Sequence, residues 1–286
     1  MEKTQKKDMS PVRDMTSGNP LSLILAFAVP MLMGTLFQQF YSMVDTIIVG
    51  KFLGVDALAS VGSTGAVNFM VNGFVIGVTA GFAIPVAQQF GAQNYRNMRK
   101  YVANTIWLTI GFSVVMTAVI GALTWKILVW MRTPENIIQG AYNYIFIIFL
   151  GIPVTYLYNL TASIIRALGD SKTPVYFLIL SSLVNIVLDY ISINFLGMGV
   201  AGPACATVIS QGLSGILCVL YMKKKFTILH FQKGEMEFDG RMCLNLCNMG
   251  IPMGLQYSIT AIGSVILQTA VNTLGSVAVA SVTAGQ

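Results

Sequence analysis

Charge is what this sequence has least of. Its 11 acidic and 17 basic residues make up 10% of 286 positions, where a soluble protein carries roughly 25%. A water-facing surface cannot be built at that density, so a soluble enzyme or binding domain is excluded. The single histidine, His230, sits in a polar stretch and leaves no His-based catalytic or metal constellation. Cys205, Cys218, Cys243 and Cys247 lack C-x-x-C spacing and lie in or beside apolar segments. They read as small packing residues rather than a disulfide framework or a zinc site. The first 19 residues are polar and charged, so no cleavable signal peptide is expected. Two motifs exist in letters only. GMGVAG (197–202) matches G-x-G-x-x-G but forms a short turn between apolar spans, with no acidic residue about 20 positions on. Asn159-Leu160-Thr161 is a glycosylation sequon buried within a span.

Apolar sequence is abundant: 55% of residues are hydrophobic and the mean hydropathy is +0.71. Runs long enough to cross about 30 Å of hydrocarbon fall at 21–50, 58–88, 101–126, 138–166, 174–196, 200–222 and 244–274. An eighth begins after Gly275. Each is predicted to be helix, because unpaired backbone in lipid costs several kcal/mol per group, by a rough estimate. Of the 17 Lys and Arg, only Lys51, Lys126 and Arg132 fall on one side; all others gather on the opposite side. The positive-inside rule then places the amino-terminal tail (1–20) and the 223–241 loop in the cytoplasm of a multi-pass plasma (inner) membrane protein. This distribution makes the bilayer the partner and excludes nucleic acid.

The seventh span repeats the first. Between 29–61 and 251–282, Pro30 aligns with Pro252 and Leu53-Gly54 with Leu274-Gly275. The match continues through Ala57/Ala278, Ala59/Ala280, Ser60/Ser281 and Val61/Val282. An even number of intervening spans gives both copies the same sense, the parallel repeat of two-lobed transporters. The fold class is therefore all-α and polytopic: a six-helix amino-terminal lobe (21–225), a polar cytoplasmic linker acting as a hinge (226–243), and an incomplete start of a second lobe (244–286). The second copy stops early, which implies a missing carboxy-terminal lobe or a homo-oligomer.

Only two acidic residues, Asp45 and Asp189, fall within spans. A charge at the bilayer centre costs roughly 2.5–3.5 kcal/mol on the lenient insertion scale, so such residues face protein or water and usually carry function. Asn185 lies one turn before Asp189 on the same helix face. Counted from the span ends, Asp45, Asp189 and Thr207 share one depth about 8–11 Å from the outer surface. Four oxygen-bearing side chains in one layer can hold a proton or a sodium ion, since hard cations favour oxygen cages. Pro30, Pro85, Pro153 and Pro252 are expected to bend their spans. Gly73, Gly77 and Gly81 form a small-xxx-small stripe suited to close helix packing.

The stretches AVPMLMGTLFQQFYSMVDTIIVGKFLG, GAQNYRNMRK, RALGDSKTP, VNIVLDY and GVAGPACATVISQ together resemble the multidrug and toxic compound extrusion (MATE) family, in its DinF-like prokaryotic branch. The resemblance implies twelve helices in two lobes and export of amphipathic, often cationic compounds against inward H+ or Na+ flow, with no cofactor beyond that ion and no enzyme activity. It makes Asp45, Asn185, Asp189 and Thr207 the ion-binding set, Gln38 and Asn159 cavity-facing residues, and Pro30 a point of helix bending. The glutamate that the NorM-like branch carries in the seventh helix is Thr260 here. Two alternatives stand beside the antiporter. A lipid-linked precursor flippase would need cationic residues in the spans, which are scarce, and a truncated chain would pack in the membrane without transporting.

Overall fold

The computed structural model describes residues 19–232 and 234–285; residues 1–18 of the expected tail (1–20), Lys233 and Gln286 lie outside it. Among the described residues the secondary structure is helical, with no strand. α1 (Pro20–Leu53), α2 (Val55–Gly91), α3 (Tyr95–Trp130), α6 (Thr173–Asn194), α7 (Ala201–Lys225) and α8 (Gly240–Asn272) are each long and apolar enough to cross a membrane. The expected fourth span is two helices, α4 (Glu135–Leu150) and α5 (Ile152–Ala167), bent by 46°. This corrects the continuous 138–166 run. Pro153 stands in the first turn of α5, where its missing N–H costs nothing, so the chain restarts its helix there instead of continuing. Pro30, Pro85 and Pro252, by contrast, lie inside unbroken helices. A 3-10 turn (Thr227–Leu229) follows α7, and α9 (Ser276–Gly285) begins the eighth span.

α2 is the interior helix. Its most apolar window is 61% buried, against 6% for α1. Val67, Val71, Val75, Val78 and Phe82 of α2 form the main core with Ile145, Ile148, Phe149 and Tyr156. α1 buries only Gly34, Asp45 and Val49. Gly54 and Gly275, paired in the expected repeat, share one backbone feature. α1 ends at Gly54 with φ +86°, and α8 is followed by Gly275 with φ +93°. Both use the left-handed region that glycine enters without penalty, to stop one helix and start the next.

The glycine stripe has a specific partner. A Cβ on Gly77 would lie 2.5 Å from the Met253 carbonyl and 2.6 Å from Gly254 Cα. On Gly81 it would lie 2.5 Å from Gly250 Cα. α2 and α8 thus cross backbone to backbone, the approach that small residues permit.

The polar linker, expected to be a hinge, is fastened to α3. Arg99 donates through Nε and Nη2 to the Glu235 carboxylate at 2.6 and 2.7 Å. Those bonds hold the Glu235 carboxyl down at about 2, below the ordinary glutamate value in the low fours. A lowered folded-state value contributes stability that is complete above about pH 4.5 and fades as pH falls towards 2. We expect the linker to resist limited proteolysis unchanged from pH 7 to pH 5 and to lose protection only below about pH 4. Loss of protection between pH 7 and 5 would contradict the ion pair.

Candidate functional site

The site is assembled where α1, α6 and α7 meet. At the basic end of the molecule Asp170 holds the start of α6. Its Oδ1 accepts from the Lys172 and Thr173 amides, and its Oδ2 accepts from Thr173 Oγ1 at 2.6 Å and Tyr221 Oη of α7 at 3.0 Å. From there α6 and α7 run together in antiparallel register. Ser181 donates to the Ser210 carbonyl, Asn185 Nδ2 lies 3.4 Å from Thr207 Oγ1, and Gly202 approaches Ser192 so closely that a Cβ would sit 2.5 Å from its hydroxyl. α1 lies along α6, with Gly34 leaving room for Val175.

This packing brings the four predicted residues together. Asp189 is fully buried, Asn185 is 1% exposed and Asp45 is 8% exposed. The Asp45 and Asp189 carboxyls are close enough to interact electrostatically, with no hydrogen bond joining them. Thr207 Oγ1 joins Asn185 to Tyr41 Oη, which is 3.1 Å away. Counted along their helices, Asp45 precedes Leu53, Asp189 precedes Asn194 and Thr207 follows Ala201 by distances of about 8–12 Å at 1.5 Å per residue. One layer in the outer half of the bundle is what the sequence reading expects.

Four buried oxygens in this layer have no hydrogen-bond partner: Asp45 Oδ1, Asn185 Oδ1 and both carboxylate oxygens of Asp189. Buried acceptors are almost always paired, and an unpaired one costs about 1–3 kcal/mol, more when charged. Two adjoining carboxylates away from water need a counter-charge or a shared proton. The donor set is all oxygen, which suits a proton or a hard monovalent cation and offers nothing to a soft metal. No group of three His, Cys, Asp or Glu able to hold a metal ion occurs among the described residues.

The two cavity candidates stand outside the cluster. Gln38 is exposed on α1, and Asn159 is half-buried on α5, where its Nδ2 donates to the Thr155 carbonyl of its own helix. Two tyrosines belong to the cluster and were not singled out from sequence. Tyr41 lies one turn before Asp45 on the same face, so its i, i+4 spacing carried the signal. Tyr144 of α4, 7% exposed, stands within electrostatic range of Asp45, Asp189 and Tyr41; nothing distinguishes it in sequence from neighbouring aromatics. A separate cavity of about 260 Å³ lies between α2, α8 and α9, lined by Gly65, Phe69, Ser264, Leu267, Gln268 and Val271. No residue of the carboxylate cluster lines it.

The MatE family model matches residues 30–191. Among curated relatives, the probable multidrug resistance protein YoeA of Bacillus subtilis (strain 168) is 33% identical over 262 residues, covering 89% of this chain and 57% of the relative. The probable multidrug resistance protein YpnP of the same organism is 31% identical, covering 92% of this chain and 58% of the relative. The chain therefore spans a little under three fifths of the length of these relatives. Among solved structures, the MATE multidrug transporter DinF-BH superposes with a TM-score of 0.86 over 97% of this chain and 62% of that one, at 23% identity. That likeness is one of fold.

Proposed function

Since the chain belongs to the MatE family, a family of membrane transporters, we propose that it works in multidrug efflux as an antiporter, exporting amphipathic, often cationic compounds in exchange for H+ or Na+. YoeA and YpnP carry multidrug resistance names, which supports the substrate class. The observation that carries the coupling is the set of unpartnered buried oxygens on Asp45, Asn185 and Asp189.

A proton on either carboxyl turns an acceptor into a donor and lets Asp45 and Asp189 bond to each other. A sodium ion would be held by the same two carboxylates with Asn185 Oδ1 and Thr207 Oγ1. Either one neutralises charge between α1 and α6, two helices that move apart more easily when both carboxylates are negative. Ion binding thus discriminates between two arrangements of α1, which is the differential affinity that a conformational switch requires. An exported compound favouring the other arrangement is released as the ion binds, and the coupling is reciprocal. The excess of Lys and Arg on the basic side supports a cytoplasmic position for it.

The test is a whole transporter carrying this sequence, reconstituted in proteoliposomes with an imposed pH or sodium gradient and a fluorescent amphipathic cation. Export should follow at least one of the two gradients and collapse when that gradient is dissipated. Transport indifferent to both would overturn the antiporter reading.

A further inference from the structure

The contacts between α3 and the 226–245 segment combine an apolar anchor with polar ties concentrated on a few residues. Phe226 and Leu229 plug the start of the segment into the inner core beside Met98, Val102 and Leu168. Beyond that anchor the segment is held by α3 side chains. Arg99 forks onto Glu235 and also donates from Nη1 to the Ile228 carbonyl at 3.3 Å. Glu235 in turn accepts from the Gln232 amide at 2.8 Å. Trp107 Nε1 donates to the Met236 carbonyl at 3.1 Å.

Asn104 is the centre of the arrangement and has no solvent exposure. Its Nδ2 donates to the Lys100 and Glu237 carbonyls. Its Oδ1 accepts from the Asp239 amide at 2.8 Å and from Cys243 Sγ at 3.3 Å. Asp239 is itself the N-cap of α8, accepting from the Arg241 and Met242 amides. The first turn of α8 is therefore tied to α3 through one asparagine, and Asn245 Nδ2 adds a bond to Tyr101 Oη at 3.0 Å.

We propose that residues 230–232 and 234–239 form a releasable latch, docked on Arg99, Asn104 and Trp107 of α3, that holds the basic end of α8 against the first six spans and must let go for that side to open. Two features set its character. Farther along, α8 is fixed to α2 by the glycine crossing, which supplies a pivot. Between pivot and latch the ties are hydrogen bonds that water can replace and one fully buried apolar side chain, Leu246, so release exposes far less apolar surface than parting the glycine crossing would. The idea rests on the transporter reading for its purpose but not for its test.

The test uses the full chain in lipid nanodiscs with Cys205, Cys218 and Cys247 replaced by serine. Cys243, which is 6% exposed and bonded to Asn104, is then the single thiol. Arg99→Met, which removes both bonds to Glu235 and the one to the Ile228 carbonyl, should speed its modification by a maleimide at least about tenfold. The charge exchange Arg99→Glu with Glu235→Arg should return the slow rate. Glu235→Gln, which keeps the shape of the side chain, gives a second reading if Arg99→Met fails to assemble. The melting temperature should fall by no more than the few degrees that the lost pair accounts for. Modification at the wild-type rate in Arg99→Met and Glu235→Gln overturns the latch, as does faster modification that the charge exchange fails to slow. A chain that labels as expected yet fails to follow any ion gradient would instead sink the antiporter reading and leave the latch standing.

Discussion

Asp189→Asn, made in a whole transporter, should cut gradient-driven efflux by about 5–150-fold, the range that an inter-site coupling of 1–3 kcal/mol spans. The substitution keeps the size and planarity of the side chain and removes its ability to carry charge or exchange a proton. It should not cost stability. Asp189 is fully buried beside Asp45 with both oxygens unpartnered, so a neutral amide there relieves a like-charge contact and introduces two donors. The expected signature is lost flux with an unchanged or raised melting temperature. Glu135→Gln, at an exposed position in the first turn of α4, should transport normally. Full efflux by Asp189→Asn would remove Asp189 from the coupling mechanism.

The second large effect is on assembly. Gly77→Leu should detach α8 from α2, because even the Cβ would overlap the Met253 carbonyl and Gly254 Cα. Neither neighbour can give way, since both are backbone. Gly77→Ala alone should cost about 1–3 kcal/mol by overpacking, and the leucine more. Gly65→Ala, on the same helix with nothing within 4 Å of its Cβ, should be neutral or slightly stabilising, as alanine favours helix over glycine. Thermal unfolding in detergent, followed by size-exclusion profile, separates the two. Equal melting for Gly77→Leu and wild type would mean that the crossing does not hold α8.

How far the sequence led depends on the kind of information each feature needs. Span positions, the repeat and the carboxylate layer follow from hydropathy and from distance counted along single helices, so the run of residues carried them. Asp45 and Asp189 stood out because lipid tolerates charge so poorly. Tyr144 did not, because a buried tyrosine in an apolar helix is ordinary and only the packing of α4 against α2 and α7 brings it near the carboxylates. The break at Gly151 was half legible: Pro153 announced a bend, but the two-helix outcome depends on how closely α5 approaches Val208 of α7. The docking of the linker on α3 was illegible for a related reason. Its polarity fits a solvated hinge, and nothing local reveals that Asn104, 135 residues before Asp239, is positioned to receive it.

The shallow burial of α1 has a consequence for how the protein is made. α1 contributes only Gly34, Asp45 and Val49 to the interior, so it gains little from its neighbours until α6 arrives. Ribosomes adding about 5–20 residues per second need on the order of ten to thirty seconds between Asp45 and Asp189. Throughout that interval α1 must reside in lipid with a buried carboxyl and no partner. Membrane insertion of this helix is then the step most exposed to quality control. A variant that weakens α6 would show its first defect as an α1 that is extracted or degraded before the bundle closes.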